Sequence, residues 1–582
     1  MKIKHLFGLA VIAAMTASCS SNEDLGTAGP GTGTNEAGVG YATFSINLPT
    51  TSGTRADDPK FEDGDANEYD VFNATLLVFE KPTTATSEGE YTFVESVDLG
   101  SMQPWKDPSE TGVTTQAKIT AKLSHVDKSG DYFALVLLNN GSGADAKVNL
   151  PTTDGTTITT YSAWNAATNA NTTNFTDTKK GFYMANAPLY NATDKSVKTL
   201  VAIDKHKIFP TEAQASSGEA AADIYVERGL AKVTLTTATK DEKPVATSSS
   251  YAGDKVKISN WALDVTNKKT FPIHNVDGLA TEAEYKDIWK NEAAASGPST
   301  QRFVDNTPGT LAQRVYWGKD PNYNNSNLLK TDEAGETARK AEFNYVTANT
   351  EVTADPTKPL YCLENTFNLA NMMQGQTTRV IFKASYTPKG FTAADGKTFY
   401  KVGTSVALWK QKDLEDHIKA AVSKVISVTT TDDITIKLDA PDNDITAAGN
   451  HEIKKSNITV TGHTVTDAEA KAVSDKVGLT QNAGISTYKN GESYYIARIK
   501  HFGDVLTPWN SGVYGTKNLE YLGRYGMLRN NWYELDVNSV SGPGYPDIPE
   551  VKPNTPDDED DKYIKVSVKI LKWAKRSQKV DL

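Results

Sequence analysis

"YATFSINLPTTSGTRADDPK", residues 41–60, changes character at Pro49. Before the proline, Ala42, Phe44, Ile46 and Leu48 are apolar, and Thr43, Ser45 and Asn47 between them are polar. That period of two predicts a half-buried β-strand. After the proline come Thr50, Thr51, Ser52, Gly53 and Thr54, all small, and then a lone Arg55 followed by Ala56. A core strand thus hangs on a loose segment that carries a trypsin-type cleavage site. Cutting between Arg55 and Ala56 would release the strand and everything before it.

What lies before it reads as an address. Lys2 and Lys4 precede an apolar run, Leu6 to Ala14, too short to span a bilayer. Thr16-Ala17-Ser18-Cys19 then places small residues before a cysteine, so residues 1–19 resemble a lipoprotein signal with Cys19 as the lipidated residue. Residues 20–40 are a Gly/Thr-rich tether. A lipid with a flexible tether anchors a chain to a membrane without spanning it.

The remainder suits a large secreted β protein. Of 582 residues, 38% are hydrophobic and 23% charged, enough for two to four domains with ample cores. The formal charge of −11, with no basic block to offset it, argues against nucleic acid as a partner. Only two cysteines occur, and with Cys19 accounted for, Cys362 reads as a small buried hydrophobe.

Strand patterns dominate. Residues 71–79 and 132–138 read as buried strands, and residues 257–265 and 378–384 alternate in part. The small-residue stretch from Ala215 to Ala222 predicts a linker, which puts a first β-sandwich at 56–222 and a second at 223–540. Helical spacing appears at 409–426, through Leu414, Ile418, Ala421, Val422 and Val425, with lesser cases at 281–295 and 466–477. No β-α alternation and no fixed repeat is present, so the helices read as insertions on β-sheets.

The C-terminal end mirrors the start. Residues 541–561 are rich in proline and acid and predict an extended linker that reaches outward. Beyond it, in residues 562–582, Ile564, Val566, Val568 and Ile570 alternate with Lys565, Ser567 and Lys569, and Leu571 and Trp573 shift the phase as a bulge would. Loss of residues 20–55 would leave a sheet short of one strand. Such an edge invites a replacement, and the C-terminal strand of another copy has the right pattern. Four buried aliphatic or aromatic side chains are worth about 6–12 kcal/mol before ordering costs. A head-to-tail contact that does not close generates a filament.

Several runs in a fixed order carry a family likeness: the segment around Cys19, Gly53-Thr54-Arg55-Ala56, residues 226–233 (VERGLAKV), residues 361–366 (YCLENT), residues 526–535 (GMLRNNWYEL) and the tail from Tyr563 to Leu582. With them the chain resembles the Bacteroidetes type V fimbrial subunits, the fimbrillin family, and most of all the major stalk subunits of short fimbriae. The resemblance implies a mainly all-β chain of two transthyretin-like β-sandwiches with a few short helices. It implies export as an outer-membrane lipoprotein, cleavage by an Arg-specific or trypsin-like protease, and polymerisation on the cell surface by donor-strand exchange. The partners implied are other copies of the chain, with anchor and tip subunits. Tip adhesin or glycan-binding surface lipoprotein is the alternative. Two plainer arrangements stand beside strand exchange: residues 41–49 as a permanent first strand, and residues 563–582 paired within their own second domain.

Enzymatic chemistry finds no support. The eight histidines are scattered, His451-Glu452 lacks a histidine four residues on, and no phosphate loop or nucleophile elbow occurs. Residues 62–70 lack the glycine and distal glutamate of a calcium loop in register. The acids from Asp557 to Asp561 read as a solvated linker, and Trp261, Trp409 and Trp573 as packing residues. The expectation is a structural protein without catalytic residues, cofactor or metal.

Overall fold

Short apolar runs punctuated by Gly, Asn and Thr turns produce a chain built mainly of strands. The computed structural model describes residues 33–47, 61–62, 68, 70–102, 116–127, 129–153, 159–167, 174–175, 177–191, 196–279, 303, 313–428, 430–502, 507, 521–558 and 564–573. Cys19, Leu48, Arg55, Ala56 and the helix expected over 281–295 lie outside them.

The first half supplies β1 (Gly40–Asn47), β2 (Phe61–Glu62), β3 (Val71–Glu80), β4 (Thr92–Met102), β5 (Gln116–Leu123), β6 (Tyr132–Leu138), β7 (Met184–Asn186) and β8 (Ala222–Arg228). All but β2 share a sheet in the order β4-β3-β6-β7-β8-β1-β5. One continuous core joins Phe44 and Ile46 of β1 to Leu76 and Phe79 of β3, Leu135 and Leu137 of β6, and Ile224 and Val226 of β8.

Two boundaries move. The stretch 215–222 is no linker: residues Glu212–Ser217 form a short helix, α1, and Ala215, Ala221 and Ala222 are buried beside β1. Small residues stand there because the helix lies close against the sheet. The strand 222–228, expected to open the second domain, pairs instead with β1 and β7 in the first sheet. The change of sheet falls at Gly229, where a Cβ would come within 2.9 Å of Tyr183 Cδ1.

The second half supplies β9 (Leu230–Leu235), β10 (Lys255–Asp264), β11 (Leu360–Leu363), β12 (Arg379–Thr387), β13 (Glu492–Arg498), β14 (Asn531–Val540) and β15 (Ile564–Trp573). One sheet has the order β11-β9-β14-β15-β2, and a second contains β10-β12-β13. Val233, Leu535 and Val537 from one meet Val256, Trp261, Phe382 and Tyr495 from the other in a shared core. Residues 399–488 extend this sandwich with a separate core, in which α2 (Gln411–Val425) and α3 (Asp467–Val477) pack on short strands. The apolar stripe read from the sequence is the buried face of α2: Leu414, Ile418, Ala421 and Val422. Thr466 caps α3 by accepting from Glu469 N–H, and Gly478 ends it in the left-handed region.

Residues 541–558 do not reach outward. They cross the second sandwich as a strap. Tyr545 pairs with Tyr494 through both backbone bonds, and Arg379 Nη2 donates to the Pro549 carbonyl at 2.7 Å. Asp557 and Asp558, read as solvated acids, are buried. Thr377 Oγ1 donates to Asp557 at 2.9 Å, and Arg524 Nε sits 2.7 Å from Asp558. A buried guanidinium requires an anion beside it, and that requirement holds Asp558 inward.

Candidate functional site

The alternation of β1 places Ala42, Phe44 and Ile46 in the first core with no exposed surface. The opposite face, expected to meet solvent, is covered too: Thr43 is 3% exposed and Ser45 0%. The cover is α1. Thr43 Oγ1 donates to the Ala215 carbonyl at 2.8 Å and stands 2.7 Å from Thr120 Oγ1 on β5. Only the ends, Tyr41 and Asn47, are half-exposed. The sequence signal for this cover was the run of small residues at 215–222, which composition alone cannot separate from a linker.

β1 lies inside its sheet. It runs parallel to β8, from Phe44 opposite Ala222 to Asn47 opposite Tyr225. It runs antiparallel to β5, from Gly40 opposite Leu123 to Asn47 opposite Gln116. Further main-chain bonds tie Tyr41 N and O to Phe209, at 2.7 and 2.8 Å, and Thr43 O to Ala221 N, at 2.6 Å. Among the described residues, β1 is the only ladder partner of β5.

The strand at the other end occupies a different setting. β15 runs antiparallel to β14, with Val566 opposite Val537 and Val568 opposite Leu535. The plainer arrangement, pairing within its own second domain, is therefore the one this uncleaved chain adopts. The burial is shallower than that of β1: Ile564 is buried, whereas Val566 and Val568 are half-buried and Ser567 is exposed. The phase shift expected near Leu571 is not a bulge on β15; the irregularity lies on β14, between Val537 and Ser539. Among the described residues, the strand beyond β15 on the sheet is β2, whose Phe61 and Glu62 pair with Lys572 and Trp573.

Sequence reading missed Glu68, which follows β2. Its side chain is fully buried, 2.7 Å from Lys232 Nζ of β9, and accepts from Tyr361 OH of β11 at 2.8 Å. Its carbonyl accepts from Arg228 Nε and Nη2, at 3.3 and 3.2 Å. The Lys232 ammonium also lies 4.1 Å from the Trp532 ring centroid. Glu68 therefore holds the segment downstream of Arg55 at the junction of the two halves, and it is spoken for as a calcium ligand. A second buried cluster at the junction sets His274 Nδ1 3.0 Å from Glu227 and Nε2 3.4 Å from Glu364, with Arg529 Nε 3.1 Å from Glu364. No local pattern announces either cluster, because the partners are far apart in the chain.

Nothing in the described residues assembles a reaction centre. No group of three or more His, Cys, Asp or Glu side chains is placed to hold a metal among them. Cys362 is buried, and burial pushes its thiol up to about 12, which keeps it protonated and unreactive. Trp261 is a core residue, and Trp409 stacks on His417 at 4.7 Å. No described helix is long and apolar enough to cross a membrane.

Three comparisons with known proteins bear on this arrangement. Residues 486–579 match the family model described as major fimbrial subunit protein type IV, fimbrillin, C-terminal. The match takes in β13, β14, the strap and β15. No curated protein sequence matches the chain. Among solved structures, a "putative cell adhesion protein" from Parabacteroides distasonis is similar, with 10% identity, a TM-score of 0.37, and coverage of 92% of this chain and 99% of that one. A fimbrial assembly protein from the same organism has 13% identity and a TM-score of 0.22, over 48% of this chain and 78% of that one. Mainly β in architecture, the chain is similar to the fimbrillin family through its C-terminal residues 486–579.

Proposed function

We propose that the chain is the stalk subunit of an adhesive surface fimbrium, exported as a lipoprotein on Cys19, cut after Arg55 and polymerised by exchange of strands between copies. The single observation behind the proposal is the contrast in burial between the two terminal strands. β1 fills an interior slot with its apolar residues fully enclosed, while β15 rests on a sheet flank with Val566 and Val568 half-buried. Moving a strand of the second kind into a slot of the first kind buries more apolar surface, so once β1 is free to leave, transfer to a neighbour is downhill. Each copy then offers one slot and one strand, and a head-to-tail contact of that kind repeats without closing. An anchor would keep β1 and end the fibre; a tip would need no donor strand.

The test is direct. Purified precursor lacking residues 1–20 is cut with trypsin or an Arg-specific protease, and its polymers are read as ladders on unboiled gels. Ladders are expected from the cut protein, and none from an Arg55→Ala precursor or from a chain ending at Lys562. Ladders from the truncated chain would overturn the donor role of β15.

A further inference from the structure

We infer that residues 209–220 form a hinged lid over the slot, latched shut by the removable piece itself, and that this lid must lift before one strand can replace another. The inference rests on the strand-exchange reading and adds the moving part that such an exchange requires.

The requirement follows from the walls of the slot. β1 is paired along both edges, to β8 and to β5, and Ala42, Phe44 and Ile46 are enclosed on its inner face. Both directions within the plane of the sheet are therefore blocked by neighbouring strands, and the inner face is blocked by the core. Drawing the strand out lengthwise would break all its ladder bonds together. Peeling it takes it out of the plane on the side of Thr43, and α1 stands there. Thr43 is 3% exposed, and its hydroxyl donates to the Ala215 carbonyl at 2.8 Å.

The latch is read from where the bonds of the lid go. Tyr41 and Phe209 exchange both backbone bonds, at 2.7 and 2.8 Å, and Ala215 accepts from Thr43. The ends of the lid are held in the same way. Gly33 N–H donates to the Ile208 carbonyl and Ala221 N–H to the Thr43 carbonyl, both at 2.6 Å. Gly33, Tyr41 and Thr43 all precede Arg55, so each of these partners belongs to the piece that the cut would free. Among the described residues, the ties that remain, bonds within the lid aside, lie at its stem. Asp204 N–H donates to the Ala221 carbonyl at 2.9 Å, and Lys207 Nζ stands 2.9 Å from Glu219. They join the two ends of the segment to each other and leave its span free to swing. Ile208 and Ala221 belong to the first core and stay seated as hinges. Between them Ala215 alone is buried, so one methyl group is the main apolar contact that opposes lifting once the bonds are gone. Short segments with few buried contacts open well below the cost of global unfolding. The lid therefore stays down while β1 is in place and comes loose as β1 departs.

Thiol labelling and a reversible lock test the lid. Ala215 has no exposed surface, and Cys362, buried in the other half, is an unreactive reference in the same chain. Precursor lacking residues 1–20 and carrying Ala215→Cys is cut and allowed to polymerise with a maleimide present. The new thiol is expected to stay unlabelled in the uncut chain and to be labelled in step with the growth of ladders, while Cys362 stays unlabelled throughout. The lock combines Ala215→Cys with Thr120→Cys, because the Thr43 hydroxyl touches both the Thr120 hydroxyl and the Ala215 carbonyl. Oxidation then ties the lid to β5. The oxidised, cut protein is expected to give no ladders and to recover them on reduction. Added to unlocked cut copies it should still donate its own strand, so ladders shorten as its share rises. Ladders that form at the natural rate from locked protein, or that grow while the Ala215→Cys thiol stays unlabelled, would overturn the lid and leave strand exchange standing. Unsubstituted protein that is cut and never polymerises would defeat exchange itself, and the lid with it.

Discussion

Asp320 and His501 are both buried and titrate in opposite senses. Burial pushes the Asp320 carboxyl up to about 7, against the pull of Thr366 N–H, the Asn267 amide and Asn322 N–H, and nearby Glu364 adds to the rise. A carboxyl raised in the folded state holds its proton longer there than in the unfolded chain. Its stabilising contribution is complete below about pH 4 and is lost as pH climbs through 7. Burial takes the His501 imidazole down to about 3, so its contribution is complete above about pH 6.5 and is lost as pH falls. Asp320→Asn should therefore flatten the decline in stability between pH 4 and 7, whatever it does to the absolute value, in urea midpoints measured across that range. An unchanged slope would show that Asp320 is not the group responsible. In the slot, Phe44→Ala should cost the uncleaved chain about 3–5 kcal/mol and Ile46→Val about 0.5–1.5, by urea unfolding. The inward residues of β1 were legible from their alternation. The sealing of Thr43 and Ser45 was not, because the helix that meets Thr43 arrives some 170 residues later, on the evidence of the Thr43–Ala215 bond.

Elements with a strong internal period were readable, and those held by distant partners were not. Residues 411–425 and 467–477 form the two helices that their spacing predicts, and residues 71–80 and 132–138 the strands. The strap at 541–558 has proline and acid in the proportions of a free linker, yet it is packed, because its partners Arg379, Arg524 and Tyr494 belong to other elements. Nothing inside the strap reports a guanidinium waiting for Asp558. Arg524→Ala should cost about 3–5 kcal/mol, since it leaves a buried carboxylate without its cation. Removing Asp558 as well should restore part of that loss. A double-mutant cycle in thermal or urea unfolding reads the difference, and strictly additive losses would mean that the pair is not coupled.

Across the whole molecule, buried ion pairs join the two halves beside a shared apolar core, in which Leu230 and Leu363 of the second half pack with the first. Lys232 on β9 and Arg228 on β8 both hold Glu68, so one residue of the N-terminal segment bridges the last strand of the first sheet and the first strand of the next unit. Glu68→Ala removes the carboxylate 2.7 Å from the buried Lys232 ammonium, at about 3–5 kcal/mol, and should speed limited proteolysis of residues 56–70 while the sheet cores remain resistant. Equal protection of the variant and the natural chain would remove Glu68 from that role. The interior position of β1 also bears on timing. The proposed cut would sever one peptide bond and leave the ladders of β1 to β8 and β5 intact, so a nicked subunit would keep its excised piece as a guest. Among the described residues β5 has its ladder on β1 alone, and an empty slot would leave that strand adrift. On the proposed exchange, the guest would depart residue by residue as the newcomer advances from one end, in the manner of one zip closing behind another that opens. On that exchange, the cut alone would arm a subunit and contact with another cut copy would fire it.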